Sequence, residues 1–165
     1  MTQFEEIYSE YFDDVYNYIY RLSGNRDIAE EITSETFFKA LKAIDGFKGE
    51  CEIRVWLCQI AKNSYYTFLK KSKRSADLND ADIENLSSRN ETLEEQVIKN
   101  DEAERIRNIL HLIDEPYKEV FMWRVFADMS FKQIGEIFKK SDNWACVTFH
   151  RAKKIIIEKL EEDSK

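Results

Sequence analysis

The stretch Ser130-Phe131-Lys132-Gln133-Ile134-Gly135-Glu136-Ile137-Phe138-Lys139-Lys140-Ser141-Asp142-Asn143 decides the fold of the second half of the chain. Ser130 is a helix N-cap, because its hydroxyl can accept from a free backbone N–H of the first turn. The short helix after it ends at Phe138, and Lys139 to Asp142 form a polar break. A last helix then runs from about Asn143 to Leu160. Two helices joined by a turn of three to four residues are a helix-turn-helix arrangement. On the last helix, Ala145, Phe149, Ala152, Ile156 and Leu160 form a core stripe, with Asn143, Val147, His150, Arg151 and Lys154 opposite. That opposite face suits a major groove, where Asn, His and Arg meet base edges and Lys meets phosphate. A plain solvated helix has the same periodicity, so spacing leaves both readings open.

Upstream, Thr92-Leu93-Glu94-Glu95 has the pattern of a capping box and predicts a helix from about Leu93 to Ile113. Asp114-Glu115-Pro116 is a turn, and Pro116 is placed as the first residue of a helix reaching about Phe126. Before Thr92 the chain is rich in Asp, Asn and Ser, which compete with helix by bonding their own backbone. The expected organisation is all-α: a helical domain at 1–74, an acidic linker at 75–91 and a second helical domain at 92–165.

In the first part, Phe4, Ile7, Tyr8, Tyr11, Val15, Tyr18, Ile19 and Leu22 recur at helical spacing, and Ser23-Gly24-Asn25 ends that helix. A second helix runs from an N-cap at Asp27 to about Ile44. Glu31, Glu35, Lys39 and Lys42 share one sector of it, with Phe37, Leu41 and Ile44 facing away. The like charges Glu31 and Glu35, four apart, cost a few tenths of a kcal/mol unless a basic partner relieves them. A Glu35–Lys39 pair on a solvated face is the other reading. After the turn Asp45-Gly46-Phe47-Lys48-Gly49, a third helix begins at Ile53 and ends in Lys70-Lys71-Ser72-Lys73-Arg74. Its bases and rings suit single-stranded nucleic acid, with cations for phosphates and Trp56, Tyr65 and Tyr66 for stacking. They equally suit a core helix with a basic C-terminus.

Composition limits the alternatives. Four glycines and one proline in 165 residues argue against a turn-dense barrel or sandwich. The net charge of −7 argues against nucleic acid until it is counted by segment: −7 over 1–35, +6 over 36–74, −8 over 75–104 and +2 over 105–165. A partner responds to the local potential, within a Debye length of about 8–10 Å. Cys51, Cys58 and Cys146 give neither a disulfide framework nor, with His111 and His150, a zinc pattern. Buried or incidental thiols are expected. No nucleophile–base pair, metal set or phosphate-cradling glycine loop is visible, so neither catalysis nor a cofactor is expected. No apolar run is long enough to span a membrane, and the acidic start lacks signal-peptide order, which predicts a cytoplasmic protein.

Both halves together resemble the extracytoplasmic-function (group IV) sigma factors of bacterial RNA polymerase, within the sigma-70 family. Ala29-Glu30-Glu31-Ile32-Thr33-Ser34-Glu35-Thr36-Phe37 is similar to the family's polymerase-binding helix. Phe47-Lys48-Gly49-Glu50 through Trp56-Leu57 and Ile60-Ala61-Lys62-Asn63 resembles its promoter-melting and minus-ten-reading segment. Ser130 to Phe138, followed by Phe149-His150-Arg151-Ala152-Lys153, is similar to its minus-thirty-five-reading helix-turn-helix. The resemblance implies that Glu31 and Glu35, with Lys39 beside them, meet core polymerase. It implies that Lys48, Trp56, Lys62, Asn63 and Tyr66 serve minus-ten recognition and melting, with Asn63 reading a flipped base. Asn143, Thr148, His150, Arg151 and Lys154 fall on the minus-thirty-five-reading helix. Ser34 stands where the family usually has Gln, Lys139 replaces a frequent turn glycine, and Cys146 and Val147 occupy positions commonly basic and polar.

What the resemblance implies is a dissociable initiation subunit with core polymerase, promoter DNA and an anti-sigma factor as partners. A stand-alone helix-turn-helix regulator and a helical protein-interaction adaptor are the competing readings of the residues themselves.

Overall fold

The computed structural model describes residues 2–76 and 101–163. Among these the fold is all-α, with seven α-helices and one short 3-10 turn. The expected linker at 75–91 and the capping box at Thr92 lie outside the described residues, apart from the last residues of the third helix.

Helix α1 (Gln3–Ser23) opens on a reciprocal capping box between Thr2 and Glu5. It stops where Gly24 takes a left-handed backbone, φ 69°, which lets its N–H reach back to the Tyr20 carbonyl. Helix α2 (Arg26–Ala43) is capped by Asn25, whose Oδ1 accepts from the Ile28 N–H at 3.0 Å. The expected cap, Asp27, lies inside the first turn, where its charge suits the positive end of the helix dipole. Helix α3 (Ile53–Ala76) follows the 3-10 turn Ile44–Gly46. Helices α1, α2 and α3 pack together around Val15, Ile19, Ile32, Phe37, Val55 and Leu57.

In the second half, α4 (Asp101–Leu110), α5 (Tyr117–Val125) and α6 (Phe131–Phe138) surround α7 (Asp142–Asp163). Pro116 is the N-cap of α5 and not its first residue. Proline brings no side-chain acceptor, so the Glu115 carboxylate does the capping and takes the Glu119 N–H at 3.2 Å. Burial raises the Glu115 pKa, while that same hydrogen bond opposes the rise.

One apolar cluster runs through both halves, from Ile7 to Ile156. Trp123 of α5 and Tyr18 of α1 are both fully buried and stack at 5.3 Å between ring centroids. Arginines tie the halves further. Arg54 donates to the Ala127 and Asp128 carbonyls at 2.6 and 3.3 Å. Arg21 reaches the Phe126 carbonyl at 3.1 Å and the Asp128 carboxylate at 2.7 Å. Asp128 itself holds a left-handed backbone, φ 54°. A non-glycine residue stays in that region only where its surroundings over-determine it.

Candidate polymerase and nucleic-acid interface

The outer face of α2 is open. Glu31 and Ser34 are exposed and Glu35 is half-exposed, with Lys39 Nζ 3.0 Å from Glu35 Oε1. Lys39 also donates to Ser64 Oγ at 2.8 Å, so this cation is fixed between α2 and α3. Leu41, expected to face away from the charged sector, is 50% exposed, and Phe38 is 57% exposed. At 100° per residue, Phe38 falls about 20° from Glu31, at the edge of the charged sector. An aromatic bordering the charged face is a signal readable from spacing alone. Lys42 Nζ covers the Phe38 ring at 4.2 Å. The face therefore combines carboxylates with two exposed apolar side chains, Phe38 and Leu41, which is the composition of a protein-docking patch.

The segment expected to meet the minus-ten element divides in two. Lys48 is exposed in the loop before α3, and Trp56 is half-buried against Phe47 at 4.9 Å. Asn63 is exposed on α3. Lys62 and Tyr66 instead face the second half. Lys62 Nζ lies 2.6 Å from Glu119 Oε1, and both side chains are largely buried. The same Glu119 oxygen accepts from Trp123 Nε1 at 3.2 Å. Tyr66 Oη sits 3.3 Å from Met122 Sδ, with Lys118 Nζ 5.4 Å above its ring. Burial raises the Tyr66 phenol well above its ordinary pKa, reinforced by Glu115 and Glu119. Tyr65 is core, 5% exposed, with its phenol pushed up to about 12 by burial. It is therefore unavailable as a stacking ring.

The helix-turn-helix is built by local chemistry. Ser130 Oγ accepts from the Gln133 N–H at 3.1 Å, and Gln133 Oε1 accepts from the Ser130 N–H at 2.8 Å. Lys139 ends α6 in a left-handed conformation, φ 57° and ψ 43°. The turn thus keeps the backbone that glycine would favour. Gly135 permits the close approach of the two helices, since a Cβ there would lie 2.7 Å from the Lys140 carbonyl oxygen. On α7, Asn143, Val147, His150, Arg151 and Lys154 are exposed, and Cys146 is half-buried. Thr148 is only 4% exposed and does not share that face. It falls about 60° from Ala145 around the helix, on the flank of the core stripe.

Among the described residues, no group of His, Cys, Asp and Glu is placed to hold a metal ion, and no helix is long and apolar enough to cross a membrane. The three cysteines are free thiols, with Cys58 buried and its pKa pushed up to about 12 by burial.

The comparisons agree with this arrangement. Residues 7–75 match the sigma-70 region 2 family. The chain is 28% identical over 157 residues to the RNA polymerase sigma factor YlaC of Bacillus subtilis, covering 90% of this chain and 87% of that one. It is 27% identical over 168 residues to the ECF RNA polymerase sigma factor SigW of the same organism, covering 96% and 89%. In fold it resembles the sigma factor RpoE of Bartonella quintana, solved in complex with the anti-sigma factor NepR, at a TM-score of 0.64 and 18% identity over 98% of both chains. The region 2 match over the first part and the relatives spanning nearly the whole chain make it similar to the extracytoplasmic-function sigma factors of the sigma-70 family, and the helix-turn-helix that follows fits that likeness.

Proposed function

We propose that the chain is an alternative sigma factor that binds core RNA polymerase and directs promoter-specific transcription initiation, in the cytoplasm and without catalysis of its own. The similarity to sigma factors over nearly the whole chain supports the reading, and the observation that carries it is a single chain with an open carboxylate-and-apolar α2 face and an intact helix-turn-helix. The first part, about 1–74, takes the polymerase through Glu31, Glu35 and Lys39 with Phe38 and Leu41 beside them. It reads and opens the minus-ten element through Lys48, Trp56, Lys62, Asn63 and Tyr66. The second part, about 92–165, reads the minus-thirty-five element through Asn143, His150, Arg151 and Lys154, while Thr148 supports that helix from the core side. An anti-sigma factor is the expected inhibitor, as for the RpoE–NepR pair.

The test is in vitro transcription with core polymerase and mapped start sites. The chain should direct initiation at specific promoters only when core enzyme is present. Glu31→Arg with Glu35→Arg should abolish binding to core while leaving the helical fold intact by circular dichroism. Unchanged core binding overturns the α2 assignment. A tight footprint by the chain alone on a palindromic operator would favour a stand-alone regulator.

A further inference from the structure

The outward side of α7 is polar except at one position. Among the exposed residues from Asp142 to Lys154, Val147 alone is apolar, and it is 39% exposed. At 100° per residue it lies about 40° from Asn143 and from Arg151 and about 20° from Lys154, well inside the sector those residues share. The opposite side of the helix fixes that sector in place. Ala145, Ala152 and Ile156 are buried, and the His150 ring lies 6.4 Å from Phe131 and 5.7 Å from Phe149. A single exposed valine on a solvated helix needs no explanation. This valine, however, is covered whenever Asn143, His150 and Arg151 reach base edges, so its contact with DNA has a chemical consequence.

In the major groove guanine, cytosine and adenine present donors and acceptors, and thymine adds a 5-methyl group. Valine can pair with none of the polar groups. Pressed on one, it would strip away water and return no hydrogen bond. The thymine methyl is the one feature of the groove that gains from a valine. We propose that Val147 is a specificity-determining residue that reads the 5-methyl group of a thymine in the minus-thirty-five element. This rests on the sigma-factor reading above and names a base for that site. The side chain suits the task, because two heavy atoms on Cβ hold χ1 in one strongly preferred helical rotamer. Its methyl groups thus form a fixed surface with little entropy to lose on contact. Cys146 lies about 100° away and is half-buried, which leaves this contact to Val147.

The experiment assembles the full chain with core polymerase and selects transcribed promoters from a library randomised over the minus-thirty-five element. Each thymine of the selected element is then replaced in turn by deoxyuridine, which removes the 5-methyl group and leaves base pairing intact. The affinity of the assembled enzyme for each promoter duplex is measured. Uracil at one position should weaken binding about fourfold, the worth of one buried carbon. Val147→Ala should weaken binding to the thymine duplex by a similar factor and erase the difference between thymine and uracil, because both changes remove the same contact. Alanine is the better helix former, so this exposed variant keeps the fold. Val147→Ile retains the methyl surface and should retain the uracil penalty. Selected elements without thymine, or equal affinity for thymine and uracil at every position, overturn the proposal. A uracil penalty undiminished in Val147→Ala overturns the assignment to Val147. If no promoter of the library is transcribed, the sigma-factor reading falls, and the same uracil comparison on duplexes that the full chain selects by itself decides the thymine contact.

Discussion

The ammonium of Lys62 and the carboxylate of Glu119, 57 residues apart in sequence, meet at 2.6 Å with side chains 17% and 19% exposed. The pair is therefore sheltered, and removing one member strands the other.

Lys62→Met leaves the Glu119 carboxylate, among the described residues, with its Trp123 donor and should destabilise the chain by about 1–3 kcal/mol, below the range for a fully buried pair. Glu119→Leu added to it should recover part of that loss, because no charge is then left unpaired. Urea unfolding of the two singles and the double closes the cycle. Purely additive losses would show that the two groups do not interact.

Gly135→Ala places a methyl group against the Lys140 and Ser141 carbonyl oxygens, at 2.7 and 2.9 Å. Backbone cannot yield as a side-chain tip does, so a loss of about 1–3 kcal/mol is expected. The melting temperature by circular dichroism and binding to minus-thirty-five duplex in the presence of core enzyme should fall together.

Lys139→Gly acts in the opposite direction. The lysine already occupies the left-handed region, where a Cβ is unfavourable. Glycine should raise stability by about 0.5–1 kcal/mol, after the greater entropy it gives the unfolded chain is subtracted. An unchanged or lower urea midpoint would contradict the strain.

Cys58 gives a signature in alkali. Its thiol has an ordinary pKa of 9.0 and is pushed up to about 12 when folded, so the folded state holds its proton where the unfolded chain has lost it. The stabilisation of the protonated form is complete below pH 9.0 and is lost progressively as pH rises toward about 12. Stability should decline from about pH 9 upward, and Cys58→Ala should flatten part of that decline even if it lowers stability overall. In the native protein a thiol reagent should modify Cys51 and Cys146, both half-exposed, before Cys58.

The helix-turn-helix was legible because its determinants are local. Ser130, the polar break and the core stripe of α7 all act within one or two turns. The same locality explains the near misses: Asn25 and Asp27 are both good caps two residues apart, and backbone geometry chose between them. Thr148 was misjudged because the resemblance placed it on the reading face, while its angle placed it at the edge of the core stripe. The roles proposed for α2 and α3 rest on the family motifs, since charge spacing left a solvated face open. What sequence could not supply was the partner of each basic residue on α3. Lys62 and Tyr66 were assigned to DNA by resemblance, and Glu119 and Met122 become their neighbours only through the packing of α5 against the first half.

The burial of Trp123 against Tyr18 also bears on affinity. A partner that needs the halves apart binds only the fraction of molecules already separated. Its apparent dissociation constant exceeds the intrinsic one by the reciprocal of that fraction, so a form populated at about 1% weakens binding about a hundredfold. One indole ring in an aromatic slot can thereby set a concentration threshold: the chain stays silent when scarce and engages its partner once abundant.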